Sequence, residues 1–182
     1  PDSVWNARVD TLPVHPQSAA WIATIGSAKP LHPDFGTVYA GAPNGIPYVV
    51  VPAGTPGIAV SFDYADESDP GLYPIPSDPP IEGGPASTGD RHVLVVEAEG
   101  CRLYELYAAY PNGDGSWRAG SGAIFDLRSN ALRPSTWTSA DAAGLPLFPG
   151  LVRYDEVVGQ GEIRHALRFT VNRSRRAYVH PA

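Results

Sequence analysis

Two carboxylates and two histidines sit inside strand-like runs of this chain, among residues whose other business is packing. Glu105 lies in the middle of LYELY, flanked by aromatics, and Asp126 ends GSGAIFD. His92 opens HVLVVE and His165 opens HALRFTV, each in phase with apolar neighbours. A carboxylate pair is what glycoside hydrolysis needs: one donates a proton to the leaving oxygen and the other attacks or activates water. An aromatic, partly apolar surround raises one of the two pKa values and divides the roles. The pattern assigns Glu105 and Asp126 as the catalytic pair, with His165 and His92 as supporting acid–base groups. The structural alternative is a Glu105 ion pair with Arg102, Arg128 or Arg168, and histidines that are buried rings with hydrogen bonds. His92, His165 and Glu105 together would also make a metal or acid–base set. No HxH or HExxH spacing supports a metal there, and no metal ligand is assigned.

A sugar ring presents an apolar C–H face that stacks on aromatics. Tyr73, Tyr107, Trp117 and Trp137, in or beside loops and hairpin ends, are the candidates, although core packing explains aromatics in a β-sandwich equally well. Arg128, Asn130, Arg133 and Asp141 crowd the stretch SGAIFDLRSNALRPSTWTSADAAGLP. They suit recognition of an acidic sugar or carboxylate, with Arg128 the substrate-binding candidate, or else an ionic network pinning a long connection. Asp63, Asp66, Glu67 and Asp69 in FDYADESDPG resemble a calcium-binding loop, with Asp63, Asp66 and Asp69 as ligands, but depart from the EF-hand pattern. The alternative is a solvated run of charge. Asn172-Arg173-Ser174 matches the N-glycosylation sequon.

Positioning these groups falls to three strands in sequence, His92–Glu97, Arg102–Tyr110 and Ala119–Leu127. EGC and the hairpin signal PNGDG at 111–115 connect them. His92, Leu94 and Val96 alternate against Val93, Val95 and Glu97; Leu103, Glu105 and Tyr107 alternate against Arg102, Tyr104 and Leu106. Tyr48–Pro52 and Gly57–Tyr64 read as two earlier strands. Residues 65–90 carry six prolines and read as a flexible linker or, the preferred reading, an ordered loop anchored by Leu72, Tyr73, Ile75 and Ile81. Gln17–Gly26 predicts a helix with Trp21, Ile22 and Ile25 on one stripe and Gly26 at its end. LHPDFG at 31–36 predicts a turn with Phe35 tucked inward. Residues 128–150 predict a loop with one helical turn in SADAAG; Arg153–Val158 and Glu162–Val171 predict two strands or a strand and a bent segment, and Ala177–Val179 a last short strand.

The totals fit this layout. The chain has 182 residues, 43% of them hydrophobic, with 19 Gly and 20 Pro, which favours many short strands joined by structured loops. A net charge of −6 argues against nucleic acid or an anionic membrane as main partner. No apolar run approaches the ~18–20 residues that cross a bilayer as a helix. Cys101 is the only cysteine, so no disulfide forms within the chain. There is no methionine, even at position 1, which a removed signal peptide would fit. There is no internal repeat or second domain.

Ten segments, among them YADESDPGLYPIP, DRHVLVVE, CRLYELYAAY, GSGAIFDLRSNALRP, WTSADAAGLP and IRHALRFTV, run nearly end to end and resemble a family of secreted microbial proteins of unassigned function. The resemblance implies secretion and a C-terminal continuation beyond the final HPA, and assigns no catalytic residue.

The expected fold is mainly β, an antiparallel sandwich or jelly roll in one domain over 1–182, with a short N-terminal helix and long ordered loops. The expected function is an extracellular carbohydrate-active enzyme that hydrolyses a glycosidic bond in a polysaccharide, hydrolysis being favoured over lyase chemistry. The alternatives are a non-catalytic polysaccharide-binding module and a structural extracellular protein assembling through its sheet.

Overall fold

A computed structural model describes residues 3–32, 36–39 and 41–180. The expected turn with Phe35 falls largely outside the described residues. Helix α1 spans Ser18–Ile25, as the spacing predicts, and Gly26 ends it at φ 99° with its N–H on the Ile22 carbonyl (2.9 Å). The expected apolar stripe does not bury α1: none of its residues is buried, and Trp21 stacks on His15 instead.

The strands in chain order are β1 (Val38–Tyr39), β2 (Ala42–Pro43), β3 (Tyr48–Val51), β4 (Ile58–Phe62), β5 (Leu72–Tyr73), β6 (Val93–Glu97), β7 (Arg102–Tyr107), β8 (Tyr110–Pro111), β9 (Trp117–Ala119) and β10 (Ser121–Asp126). One sheet runs β10-β7-β6-β3 and the other β5-β4-β9-β8, with β1-β2 a separate ribbon. The sandwich is mixed rather than wholly antiparallel, because β3 pairs parallel to β6 and β4 parallel to β9. PNGDG joins β8 and β9 in the second sheet, not β7 and β10 directly. The chain leaves the first sheet after Tyr107 and returns at Ser121, where β10 pairs antiparallel to β7.

Alternation follows the sequence pattern. Val93, Val95, Tyr104 and Leu106 point inward and meet Tyr73, Trp117 and Ala119 of the opposite sheet in the main core. The long proline-rich loop is ordered: Tyr73 is fully buried, Ile75 nearly so and Ile81 packs on the core, while Leu72 is exposed. Leu94, Leu103, Glu105 and Tyr107 point to the outer face of the first sheet. A second apolar cluster forms there between Leu94 and the loop residues Ala140 and Leu147.

The free edge of β10 is covered. Gly122 N–H donates to Ser68 Oγ (3.2 Å) and Ile124 N–H to Asp69 Oδ2 (2.8 Å). The Gly120 and Gly122 carbonyls accept from Tyr64 and Asp69 N–H, both at 2.9 Å. Such cover removes a template for strand addition. In the 128–150 loop the expected helical turn is a tight turn instead. Its Gly144 sits at φ 68°, and a Cβ there would lie 2.6 Å from the Trp137 carbonyl oxygen. A 3₁₀ turn follows at Phe148–Gly150.

Among the described residues no strand follows Asp126, so the predicted strands after residue 150 are not formed. Asp155–Gln160 is a π-helical turn closed by Gly161 at φ 72°. HALRFTV alternates with period 2 but pairs with no described strand, and Leu167 and Phe169 stand exposed. No described helix is long and apolar enough to cross a membrane.

Candidate functional site

Glu105 is fully buried on the outer face of β7. Its Oε2 accepts the Leu147 N–H and its Oε1 the Phe148 N–H, each at 2.8 Å. Burial pushes its carboxyl up to about 7 against the opposing pull of these two amides and the nearby His92 charge. Both oxygens are committed to holding the loop on the sheet, and neither reaches solvent.

His92 stands on the same face. Its Nε2 lies 3.0 Å from the Ala140 carbonyl, which only accepts, so this nitrogen carries a proton. Its Nδ1 lies 2.6 Å from Glu82 Oε2. Burial by itself lowers the imidazole pKa, but the Glu82 hydrogen bond and charge outweigh it and the net shift is upward. Burial likewise raises Glu82, and the His92 contacts carry it below its ordinary value.

The same loop is gripped elsewhere. Ser121 Oγ donates to the Ser139 carbonyl (2.7 Å), and Thr138 N–H donates to Glu67 Oε2 (3.0 Å). Arg133 bonds the Thr138 carbonyl (2.8 Å), the Glu67 carbonyl (2.8 Å) and the Asp69 carboxylate. The polar stretches that looked chemical are therefore clamps between the sheet, the acidic loop and the long connection. Asp69 is held by Arg133 and the Ile124 N–H, while Asp63 and Asp66 are exposed, so the three do not form the expected calcium cage.

Asp126 does not join Glu105. The β7–β10 register pairs Glu105 with Ala123 and Asp126 with Arg102, which places the two carboxylates on opposite faces. Asp126 is exposed and accepts the Arg128 N–H (2.9 Å). The predicted sugar platform also disperses. Tyr73 and Trp117 are buried in the core, Tyr107 packs beside His92, and Trp137 lies against the Arg133 guanidinium. Arg128 bonds the Glu99 and Gly100 carbonyls, bracing the β6–β7 turn.

His165 is in a different place, a surface cleft of about 480 Å³ lined among others by Asn6, Tyr48, Phe148, Arg153, Arg164 and His165. Several segments build it. β3 contributes Tyr48, whose ring meets Phe148 edge to face with centroids 4.8 Å apart. The π-turn presents Glu156. Gly161 then reverses the chain, bringing back Arg164 and His165. The N-terminal turn, whose Trp5 packs on Gly150, docks against this return through Ala166 N–H to the Trp5 carbonyl (2.7 Å) and Asn6 to the Arg164 carbonyl (3.2 Å). Single π-turns recur at functional sites.

Glu156 organises the cleft floor. Its carboxylate takes Arg153 Nη2 at 2.8 Å, the Arg153 N–H at 3.0 Å and His165 Nε2 at 3.3 Å. Burial raises its pKa, and the Arg153 and His165 contacts lower it further than burial raises it. The other His165 nitrogen lies 2.7 Å from the Ala166 carbonyl, so neither ring nitrogen is left open for a substrate proton. Glu82, Asp90, Arg153 and Glu156 escaped the sequence reading. Nothing in their spacing marks them, because each acts through partners distant in sequence or through a turn with no pattern of its own.

Among the described residues, one group of three or more potential metal ligands converges: Glu82, Asp90 and His92. No known protein-family model, curated protein or solved structure matches this chain.

Proposed function

We propose that this chain is a non-catalytic, extracellular polysaccharide-binding module that seats a short stretch of glycan in the Tyr48–Phe148 cleft. One observation carries this reading: the cleft joins an accessible aromatic wall to a floor of fixed polar groups. Tyr48 is 43% exposed, enough to offer part of its ring to a sugar C–H face. Arg153, held by Glu156, and Arg164, bonded to Glu162 Oε1 (2.7 Å), offer donors to ring hydroxyls or to a uronate carboxylate. A volume of about 480 Å³ is in the usual range for small-ligand clefts.

The placement of the groups assigned to hydrolysis weighs against it. Glu105 is sealed, Asp126 faces the other way, and the nitrogens of His92 and His165 are all engaged. Affinity electrophoresis and calorimetry on a panel of neutral and uronate-containing polysaccharides, run beside reducing-end assays on the same panel, test the reading. Retention by at least one polysaccharide without release of ends is expected. Turnover that Glu105→Gln abolishes would restore the hydrolase. Retention that survives Tyr48→Ala would remove the cleft.

A further inference from the structure

We propose that Glu82, Asp90 and His92 form a binding site for one first-row divalent metal ion, Zn²⁺ foremost. One ligand atom from each residue lies within 4.8 Å of the other two. The three come from one compact loop that runs into β6, held by contacts outside the ligand atoms. Glu82 N–H donates to the His92 carbonyl (3.0 Å), and Ala108 N–H to the Asp90 carbonyl (2.8 Å). Between Asp90 and His92, the buried Arg91 guanidinium is turned away and bonds the Pro85, Ser87 and Ala109 carbonyls.

The imidazole is set as metal-binding histidines are. A backbone carbonyl takes the proton on Nε2, fixing the ring, and Nδ1 points toward the two carboxylates. Nδ1 and Glu82 now share a proton across 2.6 Å; a divalent ion would replace that proton and draw in Asp90. Tetrahedral Zn²⁺ with ligands at its usual bond lengths separates them by roughly 3.3 Å, so from the present limit of 4.8 Å a shift of up to about 1.5 Å is needed. The Glu82 side chain, 26% exposed, has room to make it.

Asp90 lies at the surface, which leaves one side of the ion open to water, as in three-ligand zinc sites. One imidazole with two carboxylates suits zinc-like or manganese-like ions; calcium seeks six to eight oxygens. Arg168, whose charge reaches Glu82, is itself engaged by Asp141 at 3.1 Å. Because His92 also holds Ala140, an ion here would brace the long connection from below.

The test uses the untagged full chain, stripped with chelator and titrated separately with Zn²⁺, Mn²⁺ and Ca²⁺ by calorimetry, with Co²⁺ as the spectroscopic probe. One Zn²⁺ per chain is expected, with a Co²⁺ absorption spectrum typical of nitrogen–oxygen coordination. Asp90→Ala, at an exposed side chain, and Glu82→Gln keep the fold testable where a His92 variant would not, and each should weaken Zn²⁺ by roughly tenfold or more. Absence of binding up to about 100 µM Zn²⁺, an affinity untouched by both variants, or Ca²⁺ binding as tightly as Zn²⁺ would overturn the proposal.

Discussion

The outer face of the first sheet and the cleft beside β3 contain the same kinds of residue and put them to different uses. Under the 128–150 loop, Glu105, His92 and Ser121 are buried, and their polar atoms end on backbone groups or, for His92, also on Glu82. In the cleft, Glu156 also holds partners, but the arginines and Tyr48 around it reach solvent. A buried carboxyl group whose two oxygens are both taken by backbone amides is a fastener, because removing it leaves those amides bare in the interface. A carboxylate that fixes an arginine at a cleft wall prepares a binding surface. Residue type does not separate the two cases; what covers the face does.

The contrast breaks most visibly at Glu105. Glu105→Ala leaves the Leu147 and Phe148 amides bare inside the sheet–loop interface and should cost about 4 kcal/mol in urea unfolding. Glu105→Gln, which sets an NH₂ against one of those amides, should cost about 2 kcal/mol. A null result for both would mean that the loop is held by something else. Arg133→Ala, which removes the ion pair with Asp69 and two carbonyl contacts, should cost about 3 kcal/mol and loosen the cover on β10, read as faster amide exchange at Gly122 and Ile124.

The pH profile sharpens the same comparison. Glu105 is raised to about 7 from an ordinary 4.5, so its contribution is full below pH 4.5 and is lost as pH rises through about 7. That loss is about 3 kcal/mol. His92 is raised above 6.5, so its contribution is full below 6.5 and fades above. Glu82 and Glu156 are lowered, so theirs is present above 4.5 and is lost as pH falls. Thermal stability should peak between pH 4.5 and 6.5 and decline toward pH 8, and Glu105→Gln should flatten the alkaline side. A profile level from pH 5 to 8 would contradict the assignment. The smallest stability effects belong to the cleft: Tyr48→Ala and Arg164→Ala should each change unfolding free energy by under about 1 kcal/mol while reducing glycan retention about tenfold or more.

Much of the fold was readable because alternation is a local property. HVLVVE and LYELY place His92, Leu94 and Glu105 on one face, and the β6–β7 ladder has that phase. Tyr73, Ile75 and Ile81 anchor the proline-rich loop as their apolar character required. Asp126 failed because its face depends on register across a chain that detours through β8 and β9. An odd offset between Glu105 and the partner of Asp126 puts the two carboxylates on opposite sides. HALRFTV failed because alternation makes a strand only where an edge accepts it.

From its own order of residues the chain settled that it would be β-rich and which side chains would travel together along each strand, and it favoured an ordered loop over a flexible linker at residues 65–90. Which of those shared faces would be sealed and which left open was decided by three-dimensional packing alone. A loop 42 to 43 residues further along lies over Glu105 and satisfies both its oxygens, and no spacing within LYELY can encode the arrival of the Leu147 and Phe148 amides.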